Sequence, residues 1–122
     1  MRILLGLFAA LLMTGSLLRA EERIALVIGN GNYAALPSLQ APVPDALLMA
    51  ETLRLFGFRV TLVRDATRFR LNAAIAEFGR NLREAGPDSA GLFYYAGHAV
   101  QNFGTNYLLP TDARPAAPAD LD

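Results

Sequence analysis

The chain has 122 residues, 53% of them hydrophobic, with a mean hydropathy of +0.29 and zero formal net charge, which allows one small domain and excludes a disordered or heavily charged segment. All eleven cations are arginine and there is no cysteine, so the sequence holds neither a disulfide framework nor a thiol nucleophile.

The first stretch reads as a secretory signal peptide. Arg2 supplies a positive start, an apolar run follows from Ile3 to Met13, and small residues lead to Ala20 and the pair Glu21-Glu22. The apolar run is shorter than the roughly 20 residues of a membrane-spanning helix, so cleavage is favoured over an anchor. Leu18 fits poorly at the small-residue position upstream of such a cut, which leaves its exact place open. Residues 1–20 are thus expected to be a signal peptide. The protein is expected to be exported, periplasmic or secreted, with no stable membrane insertion after cleavage. Loss of Arg2 and Arg19 would leave nine arginines against eleven acids. That balance argues against a nucleic-acid partner.

Arg23 to Ile28 is a nearly continuous apolar run ended by Gly29, the pattern of a strand buried on both faces in a parallel sheet. Gly29, Asn30, Gly31 and Asn32, followed by Pro37, Pro42 and Pro44, predict a loop as far as Pro44. Asp45 is placed to cap the next helix. Ala46, Met49, Leu53 and Phe56 form one helical face, and Gly57 is a natural stop. Phe58, Val60 and Leu62 alternate with Arg59 and Thr61, as in a half-covered strand.

Asp65 and Thr67 are turn and cap residues. Leu71, Ile75, Phe78 and Leu82 then line a second amphipathic helix, ended by Gly86-Pro87. Leu92 to Ala96 predicts a third strand, again nearly continuously apolar. Ala99-Val100-Gln101 and Asn106 to Leu109 predict a hairpin around Asn102 to Thr105. The segment from Pro110 to Asp122 reads as a linker or surface loop. The order is βαβαβ plus a hairpin: an α/β fold with a mainly parallel sheet. Two helices are few for covering such a sheet, so the domain is expected to be truncated.

Two motifs could carry chemistry. Gly29 to Ala34 fits G-x-G-x-x-A after a strand, the dinucleotide-binding pattern. That pattern needs a helix to open at once. Here prolines occupy the would-be helix, where each costs about 3 kcal/mol, so nucleotide binding is rejected. The second motif is Tyr94-Tyr95-Ala96-Gly97-His98, which contains the only histidine. A lone histidine after a strand more often caps or packs than reacts, and without other His or Cys a metal site is not expected. Topology favours the reactive reading. If the strand order is 2-1-3, the loops at Gly29-Asn30 and Gly97-His98 are neighbours over the switch point, where ligands bind. An imidazole there can act as base or acid.

The chain resembles the bacterial caspase-like and metacaspase proteins. The residues that carry this are Ile24 to Asn30, Asn32-Tyr33, Asp45-Ala46, Phe93 to His98, and Asn106 to Pro110. The resemblance runs from about Arg23 to Asp112. It implies a caspase-like three-layer sandwich, with residues 21–122 as its N-terminal part, incomplete at the C-terminal end. It also implies a cysteine endopeptidase with a His/Cys dyad and a protein or peptide substrate. His98 matches the dyad histidine. The N–H of Ala99, where the family usually has Gly, matches an oxyanion-hole donor. Asp45 matches an acid lining the pocket for a basic P1 side chain, with the helix cap as its other reading. Ala96 falls where that pocket often has Ser. Asn30 and Tyr33 are expected to shape the loop. No cofactor is expected, and a calcium requirement is left open.

In caspases the cysteine follows the histidine by about 50 residues. Counted from His98, it would lie beyond Asp122, so the chain alone is not expected to hydrolyse peptides. The alternative is a non-catalytic caspase-like module, a pseudo-peptidase used for protein interaction.

Overall fold

A computed structural model describes residues 21–114; the expected signal peptide and the end of the tail lie outside the described residues. Strand β1 (Arg23–Gly29) leads to helix α1 (Pro42–Leu55), strand β2 (Arg59–Arg64), helix α2 (Arg68–Ala85) and strand β3 (Ala90–Ala96). Strands β4 (Ala99–Asn102) and β5 (Thr105–Leu108) follow. The first three strands form a parallel sheet in the order β2-β1-β3, and β4 and β5 form a separate antiparallel pair.

The unbroken apolar run of β1 follows from its central place. Ala25 and Val27 point to one face, where they meet Ala46, Ala50 and Leu53 of α1. Leu26 and Ile28 point to the other, where they meet Leu71 and Ala74 of α2. One helix on each face makes three layers, as expected from the sequence. Leu26, Val27 and Ile28 are fully buried, and each contributes about 1.5–3 kcal/mol. Val60 and Leu62 of β2 lean towards the α1 cluster and Val63 towards the α2 cluster, which explains the alternation in the sequence.

Four expectations need correction. Helix α1 begins at Pro42, not after Pro44. Its first turn needs no backbone donors, so the prolines fit there. The turn closes with Asp45 N–H donating to Ala41 O at 3.0 Å. Asp45 is therefore inside the first turn and is not its cap. Phe56 does not belong to the buried face of α1. It is the C-cap residue and 64% exposed, and Ala50 takes the expected inner position. In α2, Ala74 is buried where the periodicity pointed to Ile75, which is 41% exposed. The cap of α2 is as expected: Thr67 Oγ1 accepts from Arg70 N–H at 3.3 Å. The hairpin is also as expected, and its two-residue turn places Phe103 and Gly104 at φ 46° and 80°. Those left-handed angles match the twist of the flanking strands. Among the described residues no helix is long and apolar enough to cross a membrane.

Candidate active site

The site lies at the carboxyl edge of the sheet. Gly29, the last residue of β1, is aligned with Ala96, the last of β3. Asn30 N–H then donates to Ala96 O at 2.8 Å. The loops after β1 and β3 are therefore neighbours, as the 2-1-3 order requires.

The Gly-rich segment is closed by a side-chain carboxylate and by close backbone packing. Gly31 N–H and Asn32 N–H both donate to Asp65 Oδ1, at 2.9 and 3.0 Å. A Cβ on Gly29 would come within 2.5 Å of Pro42 O, and one on Gly31 would collide with Leu39 O. The glycines thus admit close backbone approach. The Gly31 and Asn32 amides are committed to the Asp65 carboxylate.

Asn30 is fully buried. Its Oδ1 accepts from Ala66 N–H at 2.8 Å, and its Nδ2 donates to Leu109 O at 3.4 Å. It ties the ends of β1, β2 and β5 together. Tyr33 and Tyr95 do the same around His98. His98 N–H donates to Tyr33 Oη at 2.8 Å. Tyr33 O–H reaches Leu109 O at 3.1 Å, and Tyr95 O–H reaches His98 O at 2.8 Å. Leu109 N–H also donates to His98 O, at 3.0 Å. Each hydroxyl has one proton, and this assignment uses each once. Burial, with the neighbouring Tyr33 hydroxyl, pushes the Tyr95 phenol well above its ordinary range, so Tyr95 remains a donor at any ordinary pH.

The backbone of His98 is thus fixed on both sides, while its side chain is half-buried. Nε2 lies 2.8 Å from Pro37 O, and the ring meets that of Tyr33 edge-on, with centroids 4.6 Å apart. A carbonyl can only accept, so Nε2 carries the proton, and neutral His98 keeps its lone pair on Nδ1.

Ala99 opens β4, aligned with Leu108. Because His98 O already bonds to Leu109 N, ladder alternation turns the Ala99 N–H away from β5. Ala96 is half-buried at the end of β3. Asp45 is exposed and adjoins Ala46, whose Cβ lies against Gly29. The fold therefore places Ala96, His98 and Ala99 together beyond the end of β3, while Asp45 lies in the first turn of α1, on the segment that packs against Gly29. Among the described residues no group of three or more His, Cys, Asp or Glu could hold a metal ion. A cleft of about 290 Å³ opens elsewhere, between the start of α2 and the segment after β5. It is lined by Arg68, Asn72, Tyr107 and Pro110 among others, and not by Asp45, Ala96, His98 or Ala99.

Sequence reasoning missed the Pro37 carbonyl and the Asp65 carboxylate. The first is a backbone acceptor and leaves no residue-type signal. The second read only as a turn former.

Comparison with known proteins places the caspase domain on residues 22–120 of the chain. Human mucosa-associated lymphoid tissue lymphoma translocation protein 1 is 38% identical over 94 residues. Its mouse homolog is 37% identical over the same length. Each match covers 77% of this chain, which spans 11% of each relative's length. Neither relative bears the metacaspase name suggested by the sequence resemblance.

Proposed function

The chain belongs to the caspase-domain family, and from that membership we propose that it supplies the histidine half of a cysteine endopeptidase. The observation that carries this reading is the imidazole of His98, held through Nε2 by Pro37 O at 2.8 Å with Nδ1 left as a base. The chain has no cysteine, so in this reading the thiol comes from another part of the protein.

The steps follow from the residues. Nδ1 of His98 takes the thiol proton, and the Pro37 carbonyl keeps the ring oriented while it is charged. The thiolate attacks the peptide carbonyl. The Ala99 N–H faces the developing oxyanion. His98 then returns its proton to the leaving amine, and water releases the acyl group. Asp45 favours a cationic P1 side chain by charge, and Ala96 forms the small wall beside it. Export through residues 1–20 belongs to the same reading.

The test is peptide hydrolysis by the whole protein, before and after thiol alkylation. Turnover that alkylation abolishes supports the proposal. Absence of turnover from a folded protein, or turnover indifferent to alkylation, refutes it. The first of those results favours the interaction module.

A further inference from the structure

We infer that Tyr33 is a positioning residue for His98. The inference rests on the peptidase reading for its consequence in catalysis, but not for its geometry. Tyr33 contacts His98 in two ways and its backbone neighbour Leu109 in a third. Its hydroxyl accepts the His98 N–H at 2.8 Å. Its O–H reaches Leu109 O at 3.1 Å, and Leu109 N–H in turn holds His98 O. Its ring meets the imidazole edge-on at 67°, with centroids 4.6 Å apart. Tyr33 is only 6% exposed, so its ring is a fixed wall.

Among the described residues the imidazole is supported by Pro37 O on Nε2 and by the Tyr33 ring on its side. Pro37 and Tyr33 lie in the same loop, between β1 and α1. That loop therefore fixes both the tautomer and the tilt of the base. The geometry also explains the glycine before His98. A Cβ on Gly97 would stand 2.6 Å from Tyr33 Oη and 2.7 Å from Tyr95 Oη. Only a residue without Cβ lets the two hydroxyls close around the His98 backbone.

The position of Nδ1 relative to an incoming thiol is then set by Tyr33. A base displaced by about 1 Å loses up to roughly 100-fold in rate. Removing the hydroxyl alone should move the backbone of His98 by less than that. Tyr33→Phe is expected to lower kcat roughly tenfold and to leave KM within about twofold. Tyr33→Leu, which also removes the ring, is expected to lose roughly 100-fold.

The experiment has a readout independent of activity. His98 is the only histidine, so its ring gives one unambiguous set of NMR signals. In the unaltered chain, a rigid ring with a persistent Nε2–H and a slowly exchanging His98 amide is expected. Tyr33→Phe should speed amide exchange, and Tyr33→Leu should add ring mobility. A mobile ring or a fast amide in the unaltered chain would overturn the inference without any variant. Unchanged ring dynamics in folded Tyr33→Leu would also overturn it. The peptidase reading fails separately, if His98→Ala leaves whole-protein turnover intact.

Discussion

Replacing Asn30 with alanine should destabilise the fold through one orphaned amide. Asn30 is fully buried, and its amide can face only one way: Ala66 N–H needs an acceptor, and Leu109 O needs a donor. The bond to Ala66 is short at 2.8 Å, and the one to Leu109 is long at 3.4 Å. The first should dominate. Ala66 is itself only 1% exposed, so water cannot replace the lost acceptor without opening the core. An unsatisfied buried donor costs about 1–3 kcal/mol, and the small cavity adds to it. A loss of about 2–3 kcal/mol is expected, or roughly 8–20 °C in Tm for a domain of this size. Urea unfolding gives the number directly, provided m stays constant. Asn30→Asp offers a cross-check. It keeps an acceptor for Ala66 but turns a carboxylate onto the Leu109 carbonyl. Burial raises the pKa of the introduced carboxyl in the folded state. The folded form then binds the proton more tightly than the unfolded one, so stability should fall as pH rises above about 4. A loss below about 0.5 kcal/mol for Asn30→Ala would refute the idea that Asn30 holds the three strand ends together.

Gly97→Ala should lower stability by about 1–3 kcal/mol, since its Cβ would push apart the Tyr33 and Tyr95 hydroxyls; an unchanged melt would contradict the crowding. Asp45→Asn in the whole protein should cut kcat/KM for peptides with Arg or Lys at P1 on the order of tenfold; a peptide-library profile showing Asp at P1 would refute the role given to Asp45. Expressed in a bacterium, the mature protein should begin near Glu21, and intact Met1 in a soluble cytoplasmic product would defeat export.

The sheet was legible because β1 is central. A run apolar on both sides has few other solutions, and the register of Gly29 with Ala96 follows once β1 sits between β2 and β3. Helix boundaries were less legible. Three prolines looked like a loop, yet Pro42 and Pro44 sit in the first turn of α1, where their missing N–H groups do no harm. The place of His98 beyond a strand end could be read from residue types. Its support could not. Pro37 contributes only a carbonyl, Leu109 only its backbone, and Tyr33 lies 65 positions away in sequence. Such contacts depend on where the loop after β1 folds back, and no local pattern encodes that.

The chemical role of His98 is tested most directly by His98→Ala in the whole protein, with turnover and a thermal melt measured on the same sample. The structure separates the two readouts. The backbone of His98 carries the bonds to Tyr33, Tyr95 and Leu109, and alanine keeps them all. Among the described residues the side chain gives up its bond to Pro37 O and its edge contact with Tyr33. The melt should therefore move by no more than a few degrees, matching a loss of about 0.5–1 kcal/mol for one solvent-accessible hydrogen bond. Turnover should fall at least 10²–10⁴-fold. Preserved turnover per folded molecule, with a clearly lowered melt, would contradict the account and return His98 to a packing role.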